Sequence, residues 1–261
     1  MKNIYMENNV SVHKNAKIGK NVEIGPFTFI AEHVEIGEGT WIGPQVTIFD
    51  YVKIGKNCKI FPGAVVGAIP QDLKFVGEVS YVEIGDNTTI REFATINRGT
   101  QASGKSLTKV GNNCLLMSCS HVAHDCCVGD NCILVNYVGL AGEVTVEDWV
   151  IFGGSAIVHQ FSRIGAHAMI GAGSKISKDI PPYLLVGREP LSYEGINIVG
   201  LRRRGFTNEQ IEGIHNIYRV IYEGNLNFTD ACNKVEQDFP ESDYKTKIID
   251  FIRNSKRGVV K

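Results

Sequence analysis

The sequence predicts a mainly β fold: a β-helix of six-residue repeats over residues 12–176, followed by a small C-terminal α-helical domain. Three observations predict it. An apolar residue recurs at every sixth position, a small or β-branched residue falls four positions after it, and beyond Ile176 the spacing becomes helical with capping signals.

Counted in sixes from Val12, the series runs Ile18, Ile24, Ile30, Ile36, Ile42, Ile48, Ile54, Ile60, Val66. It resumes at Ile84, Ile90 and Ile96, again from Val110 to Leu140, and continues through Val146, Phe152, Val158, Ile164, Ile170 and Ile176. A period of six fits neither the 3.6 of a helix nor a plain two-residue alternation. It is the period of hexapeptide β-helices, where each rung is a short strand plus a corner. The second position of the pattern holds residues such as Thr28, Val34, Thr40, Cys58, Ala64, Cys114, Ser120, Cys126 and Cys132. Four of the seven cysteines therefore fall in inward slots. Glycine often follows the apolar residue, as at Gly19, Gly25, Gly37 and Gly55, where a corner is expected to need permissive backbone.

Two gaps in the series, roughly 67–83 and 97–109, are expected to leave the scaffold as external loops, because a buried irregular loop would strand backbone polar groups. Such insertions are where a repeat protein keeps its binding chemistry. Pro181-Pro182 ends the last rung. Thr207 with Gln210 then forms a capping box, Ile211, Ile214, Tyr218 and Ile221 recur at helical spacing, and Gly224 closes the helix. Further short helices fit 229–238 and 242–253. The expected division is residues 1–190 for the β-helix and 191–261 for the helical domain.

Lysine and arginine number 27 against 28 acidic residues, which argues against a nucleic-acid binder driven by bulk charge. Met1 to Val10 is polar and lacks the apolar core of a signal peptide. No apolar run approaches the roughly 18 residues of a membrane span, so the chain is not expected to be membrane-embedded. Seven cysteines without CxxC spacing point to reduced thiols rather than a disulfide framework. The expectation is a soluble, cytoplasmic protein.

The repeat resembles that of the hexapeptide-repeat acyltransferases, whose domain is a left-handed parallel β-helix of triangular cross-section. The resemblance implies that handedness, against the usual right-handed crossover, and three rungs to each 18-residue coil. Residues 18 apart then stack about 4.8 Å from one another. On that ruler His124, Gly142 and Gln160 form one column, with Glu143 beside Gly142, His159 beside Gln160, and His121 three residues before His124. A lone outward histidine is ordinarily just a solvated residue. A histidine beneath a glycine backbone can instead act as a base while an adjacent N–H receives developing negative charge. Asp125 could orient that imidazole. Some hexapeptide β-helices are carbonic anhydrases with three histidine ligands to zinc, and these include a pair five residues apart. His121 and His124 are three apart, so no metal is expected.

The motifs Gln71-Asp72-Leu73-Lys74, Arg98-Gly99-Thr100, His121-Val122-Ala123-His124-Asp125, Leu140-Ala141-Gly142, Val158-His159-Gln160-Phe161, Ile164-Gly165-Ala166-His167, Pro181-Pro182-Tyr183 and Arg203-Arg204-Gly205-Phe206 occur in order. Together they are similar to the acyl-carrier-protein-dependent UDP-N-acetylglucosamine O-acyltransferase family of lipid A synthesis, over essentially the whole chain. The resemblance implies transfer of a 3-hydroxyacyl group from acyl carrier protein to the 3-hydroxyl of UDP-N-acetylglucosamine. No cofactor is implied, because the thioester is already activated.

By that resemblance His124 is the general base, Asp125 its neighbour in the catalytic set, and the Gly142 N–H the oxyanion donor. Gln71, Asp72, Lys74, His121, Glu143, His159 and Gln160 are implied contacts to sugar and phosphate. Asn197, Arg203 and Arg204 are implied at the nucleotide end, where an arginine fork suits a diphosphate. Arg202 to Arg204 also read as a solvated patch or a dock for the acidic carrier protein. Met169 and Ala172 are the candidates for the acyl groove. The family is a homotrimer with active sites between subunits, to which the outward bulk of Phe49, Tyr51 and Trp149 also points.

Three residues depart from the family pattern. Glu143 stands where a histidine is usual, placing a carboxylate near the proposed base, where it would either tune that base or take a sugar hydroxyl. Val199 replaces a carboxylate and Pro190 a histidine, both expected at the nucleotide end. Two other readings stay open on the sequence. One is the sugar N-acyltransferase later in the pathway, which usually carries a separate N-terminal domain, whereas repeats here begin at Val12. The other is a non-catalytic β-helix binding protein, which leaves the histidine column unexplained.

Overall fold

The computed structural model describes residues 9–261; the polar segment 1–8 lies outside it. Over residues 11–196 short strands stack into three walls, of nine, eight and ten strands, parallel throughout apart from a final antiparallel strand. The six-residue apolar series supplies the inner lining. Ile30, Ile48, Val66, Ile96, Val122, Leu140 and Val158 fill the first wall, Ile36 to Ile164 the second, and Ile42 to Ile170 the third, nearly all without solvent contact. The second repeat position is inward too, with Cys58, Cys114, Cys126 and Cys132 buried. Each buried aliphatic side chain contributes roughly 1.5–3 kcal/mol by leaving water. Truncating one from the middle of the column, such as Ile90, costs about 2–5 kcal/mol through the cavity left behind.

The repeat is turned at its corners by residues in the left-handed region, but these are not the glycines that follow the apolar residues. The positive-φ residues lie three positions after each apolar one: Asn21, Asn57, Asn87, Asn113 and Asn131 on one edge, and larger side chains such as Phe27, Phe93, Tyr137 and Phe161 elsewhere. Asparagine tolerates this region well, and the aromatics are held there by bonds between coils such as Tyr137 N–H to Ser118 O at 3.2 Å. The glycines serve close approach instead. A Cβ on Gly37 would stand 2.5 Å from the backbone of Gly55 in the next coil. The coils touch there, so a side chain has no room.

Most ladder partners are 18 residues apart, as Ile36 with Ile54 and Val110 with Val128. The insertions interrupt this without breaking a wall: Ile60 pairs with Ile90, and Ile90 with Leu116. Strand Tyr81–Ile84 rejoins the second wall one rung residue earlier than the apolar series shows, because Val82 packs inward and pairs with Val52. Strand Leu107–Val110 likewise starts early, with Thr108 buried. The loops proper are therefore 69–80 and 98–106.

After the last coil, strand Leu184–Gly187 joins the third wall, and Ser192–Ile196 folds back antiparallel on it. Neither this hairpin nor the short helix α1 (Ile198–Arg203) is legible in the sequence periodicity. Helices α2 (Asn208–Glu223), α3 (Phe228–Asp238) and α4 (Asp243–Arg253) follow. The capping box at Thr207 and Gln210 is present. Gly224 does end α2, though with φ −78°, so the left-handed residue after the helix is Asn225. Tyr218, wholly buried, donates from its hydroxyl to Pro182 O at 2.6 Å and ties α2 to the end of the prism. No helix among the described residues is long and apolar enough to cross a membrane.

Candidate active site

His124 sits at a corner between the first and second walls, its ring largely covered. Gly142 lies one coil above it, and a Cβ at Gly142 would stand 2.5 Å from both Cε1 and Nε2 of the imidazole. The glycine is therefore a spatial requirement of the histidine. Among the described residues the Gly142 N–H donates to no protein acceptor, whereas the next amide, Glu143 N–H, donates to His124 O at 3.0 Å. His124 and Gln160, at equivalent corners, share the free amide, so the repeat itself creates the vacant donor that glycine leaves accessible.

Each ring nitrogen of His124 faces a carboxylate. Nδ1 is 2.8 Å from Asp125 Oδ2, and Nε2 is 3.8 Å from Asp72 Oδ2. The first distance is a charge-assisted hydrogen bond, with Nδ1–H donating and the Nε2 lone pair left outward. The second is too long for one. A hydroxyl oxygen set to one side of the two can bridge them at hydrogen-bond distance from each.

Asp125 has no solvent contact. Burial alone would raise its pKa. The hydroxyls of Ser103 and Thr100, with the His124 ring and the Thr100 amide, outweigh that and hold the carboxyl below its usual range. Thr100 N–H donates to Oδ1 at 2.8 Å, Thr100 Oγ1 to Oδ2 at 2.7 Å, and Ser103 Oγ to Oδ1 at 2.6 Å. Gly99 makes room, since a Cβ there would meet Asp125 Oδ1 at 2.8 Å. Sequence reasoning missed Thr100 and Ser103. The available signal was Arg98-Gly99-Thr100, which lies one coil below His124-Asp125 once the second insertion is counted.

The two loops lock together beneath this pair. Asn97 Nδ2 donates to Ile69 O at 3.1 Å, Arg98 N–H to Ala68 O at 3.0 Å, and Gln101 N–H to Glu78 Oε1 at 3.1 Å. The Arg98 guanidinium lies 5.6 Å from the Tyr51 ring centre and 5.7 Å from that of Phe75. Asp72, on the first loop, also caps its own turn by accepting from Lys74 N–H at 3.0 Å.

The remaining expected residues divide between edges of the prism. His121, on the first wall, hydrogen-bonds through Nδ1 to Thr95 Oγ1 at 2.7 Å; burial first, then the charge of His124, lowers its pKa. Gln71, Lys74, His159 and Gln160 are exposed on the same side. The Glu143 carboxylate makes no hydrogen bond or ion pair to the His124 ring; the carboxylates at that ring are Asp125 and Asp72.

Asn197, Arg203 and Arg204 stand elsewhere, at the edge between the second and third walls. Asn197 is buried: its Oδ1 caps α1 by accepting from Gly200 N–H, and its Nδ2 donates to His167 O at 2.9 Å. Arg204 lies over Trp149 at 5.2 Å and reaches His167 Nδ1 at 3.3 Å, while Arg203 is exposed. Met169 is on the third wall and Ala172 at the corner after it. One chain does not bring these residues to His124.

A groove of about 760 Å³ runs along the first wall from His121 past Gly139 and Ile157. Its far end is formed by Pro190, Leu191 and Val260. Pro190, one of the three departures from the family pattern, lines this groove. Met169 and Ala172 do not line it.

Two family models match the chain. "Bacterial transferase hexapeptide (six repeats)" covers residues 33–68 and 107–142, and "Udp N-acetylglucosamine O-acyltransferase; Domain 2" covers 179–260. A protein of Xylella fastidiosa named acyl-(acyl-carrier-protein)–UDP-N-acetylglucosamine O-acyltransferase is 44% identical over 199 residues, 76% of this chain and 75% of its own. A similarly named protein of Verminephrobacter eiseniae is 46% identical over 69% of this chain and 68% of its own. Among solved structures, a UDP-N-acetylglucosamine acyltransferase from Bacteroides fragilis superposes with a TM-score of 0.96 at 52% identity, covering 98% of this chain and 100% of that one. The enzyme of the same name from Francisella novicida gives 0.93 at 42% identity, covering 97% and 92%. These likenesses bear out the left-handed β-helix with a small helical domain.

Proposed function

The chain belongs to the acyl-(acyl-carrier-protein)–UDP-N-acetylglucosamine O-acyltransferases, and from that premise we propose that His124 and Gly142 carry its reaction. The enzyme transfers an acyl group from acyl carrier protein to UDP-N-acetylglucosamine, the first step of lipid A synthesis. The observation that carries the mechanistic reading is the packing of the His124 ring against Gly142, whose amide is free.

In this reading the sugar 3-hydroxyl settles beside Nε2 and Asp72, bridging the two, and gives its proton to Nε2. The oxygen attacks the thioester carbonyl of a 3-hydroxyacyl donor, and the carbonyl oxygen, now an anion, accepts from the Gly142 N–H. The C–S bond then breaks. The imidazolium returns its proton to the departing sulfur, leaving an ester and the carrier protein's free thiol. A positioned base is worth roughly 10²–10⁴ in rate, and one oxyanion donor about 10²–10³. Asp125 fixes the tautomer and spreads the positive charge as it forms.

Asp72, Gln71, Lys74, His121, Glu143, His159 and Gln160 surround the sugar side. The acyl chain suits the apolar groove that begins at His121 and ends at Pro190. Asn197, Arg203 and Arg204 stand on another edge, so a nucleotide bound near His124 meets them from a second copy. Met169 and Ala172 likewise line an acyl chain only from a neighbour. A homotrimer with sites between copies meets this requirement, and it covers the first loop's Ile69, Leu73 and Val76, all strongly exposed in one chain. Seven free cysteines suit a reducing cytoplasm.

The test is purified protein with UDP-N-acetylglucosamine and a 3-hydroxyacyl carrier protein. A 3-O-acyl sugar nucleotide is expected. Its absence with folded protein and charged donor overturns the substrate reading, and full turnover by His124→Ala overturns the assignment of the base.

A further inference from the structure

The geometry points to Thr100 and Ser103 as positioning residues for the acyl transfer: the second loop clamps Asp125 so that His124 is held in one tautomer and one direction. This rests on the assignment of His124 as base. Four donors converge on the two oxygens of a carboxylate that has no solvent contact: Thr100 N–H and Ser103 Oγ on Oδ1, Thr100 Oγ1 and His124 Nδ1 on Oδ2. A fifth bond fixes the backbone beneath, with Asp125 N–H donating to Thr108 Oγ1 at 2.8 Å. Ser103 is held in turn, its hydroxyl also reaching Thr100 O at 2.9 Å and accepting from Lys105 N–H at 3.1 Å.

A scaffold role alone does not call for this arrangement. The corner conformation at Asp125 recurs every six residues around the prism, at asparagines, aromatics, Gln45, Ser155 and His167 among others, so the corner itself requires no carboxylate. Here the chain leaves the ladder between residues 98 and 106 and returns, and the turn Gln101–Ser103 presents its hydroxyls to one side chain. The two carboxylate oxygens are thereby committed, and only one lone-pair direction remains for the imidazole. The ring cannot flip without breaking the bond to Oδ2. Nε2 therefore keeps facing Asp72 and Gly142, where the hydroxyl and the carbonyl meet.

The titratable groups facing the pair are Asp72 from the first loop and His121 from the first wall, with Lys105 two residues beyond Ser103 and Glu143 one beyond Gly142 in the flanking segments. Losing the hydroxyl of Thr100 or Ser103 leaves a buried carboxylate short of a donor, which raises its pKa and frees it to rotate. The more basic carboxylate favours the imidazolium form of the pair and so moves the acid limb of the pH–rate profile upward, while the loosened orientation lowers kcat.

The experiment compares Thr100→Val, Thr100→Ser and Ser103→Ala with the parent enzyme, with His124→Ala as control. For each, kcat/KM is measured against pH, the sugar-nucleotide KM is taken at neutral pH, and the His124 Nδ1–H resonance is followed by NMR. Thr100→Val is expected to raise the acid limb by about one pH unit and to lower kcat about tenfold, within the contribution of a positioned base. The KM should stay within about twofold, since uniform binding is untouched. The Nδ1–H signal weakens in Thr100→Val and Ser103→Ala, and Thr100→Ser restores both limb and signal. If Thr100→Val does not fold, Ser103→Ala and Thr100→Ser decide. An acid limb and resonance unmoved in folded Ser103→Ala, while His124→Ala is inactive, overturns the clamp alone. Full activity in His124→Ala overturns the base assignment, and the clamp with it.

Discussion

The ring of His124 occupies the space that a side chain on Gly142 would need: a β-carbon there would lie 2.5 Å from Cε1 and from Nε2. The backbone of Gly142 is not in the left-handed region, so alanine is sterically excluded by the imidazole alone. Gly142→Ala should still fold, with stability lowered by about 1–3 kcal/mol, because the imidazole must give up its bond to buried Asp125 to make room. Displacing the base and covering the free amide together should lower kcat/KM by about 10²–10³. Steady-state kinetics beside a thermal melt checks this. Retained activity would mean that the two groups do not act on one reacting centre.

Glu143 replaces the family's usual histidine yet makes no bond to the His124 ring, whose carboxylate neighbours are Asp125 and Asp72. Glu143→His is expected to leave the acid limb of the pH–rate profile in place. Its effect should appear in the sugar-nucleotide KM, by several-fold, as befits a residue one position beyond the oxyanion donor. A displaced limb would put Glu143 in the proton-transfer set.

The two arginines of Arg203-Arg204 should separate cleanly. Arg204 is half-buried over Trp149 and bonded to His167, so Arg204→Ala should lower stability by about 1–2 kcal/mol through lost stacking and stem packing. Arg203 is exposed, and Arg203→Ala should stay within about 0.5 kcal/mol of the parent. Denaturant melts measure both. If Arg203 meets the diphosphate, its loss shows instead as a raised KM.

His167 is stacked between Trp149 and Tyr183, and its Nδ1 accepts from Arg204. Burial first, then the charges of Arg204 and Lys247, pushes its pKa down to about 4. The unfolded chain, near the ordinary value of about 6.5, takes up the proton first as pH falls. The stability held above that value is therefore lost between pH 6.5 and 4, by an amount on the order of 2–3 kcal/mol. His167→Phe should flatten the fall in melting temperature across that window. An unchanged slope would assign the loss to other groups.

The walls of this fold were legible because an apolar residue every six positions has no competing reading, and the vertical register of His124 with Gly142 came with the coil. The corners were less so. Glycine after each apolar residue suggests backbone freedom, but the left-handed residues are Asn57, Phe93 or Tyr137, and Gly37 is small because the coils touch. Thr100 and Ser103 escaped notice for a different reason. An aperiodic loop gives no sign of where its hydroxyls land until its ends are fixed in the ladder. The ruler also gave height without azimuth: Asn197 and Arg204 lie near the same end of the prism as Gln160, but around the corner from it. The hairpin 184–196 has too few residues per strand to show alternation, and α1 is a single capped turn and a half set by Asn197.

Ile60 pairs with Ile90 and Ile90 with Leu116, where a plain coil would advance 18 residues. The ladder is thus indifferent to how much chain hangs outside it, since each rung knows only the rung above and below. Loop length is in consequence a nearly free evolutionary variable. Segments 69–80 and 98–106 can be exchanged among relatives, lengthened or rebuilt, with the aliphatic column as an unaltered chassis. What cannot be exchanged singly is one loop without the other, because Asn97, Arg98 and Gln101 hold Ala68, Ile69, Phe75 and Glu78. The heritable unit of specificity in this scaffold is the pair.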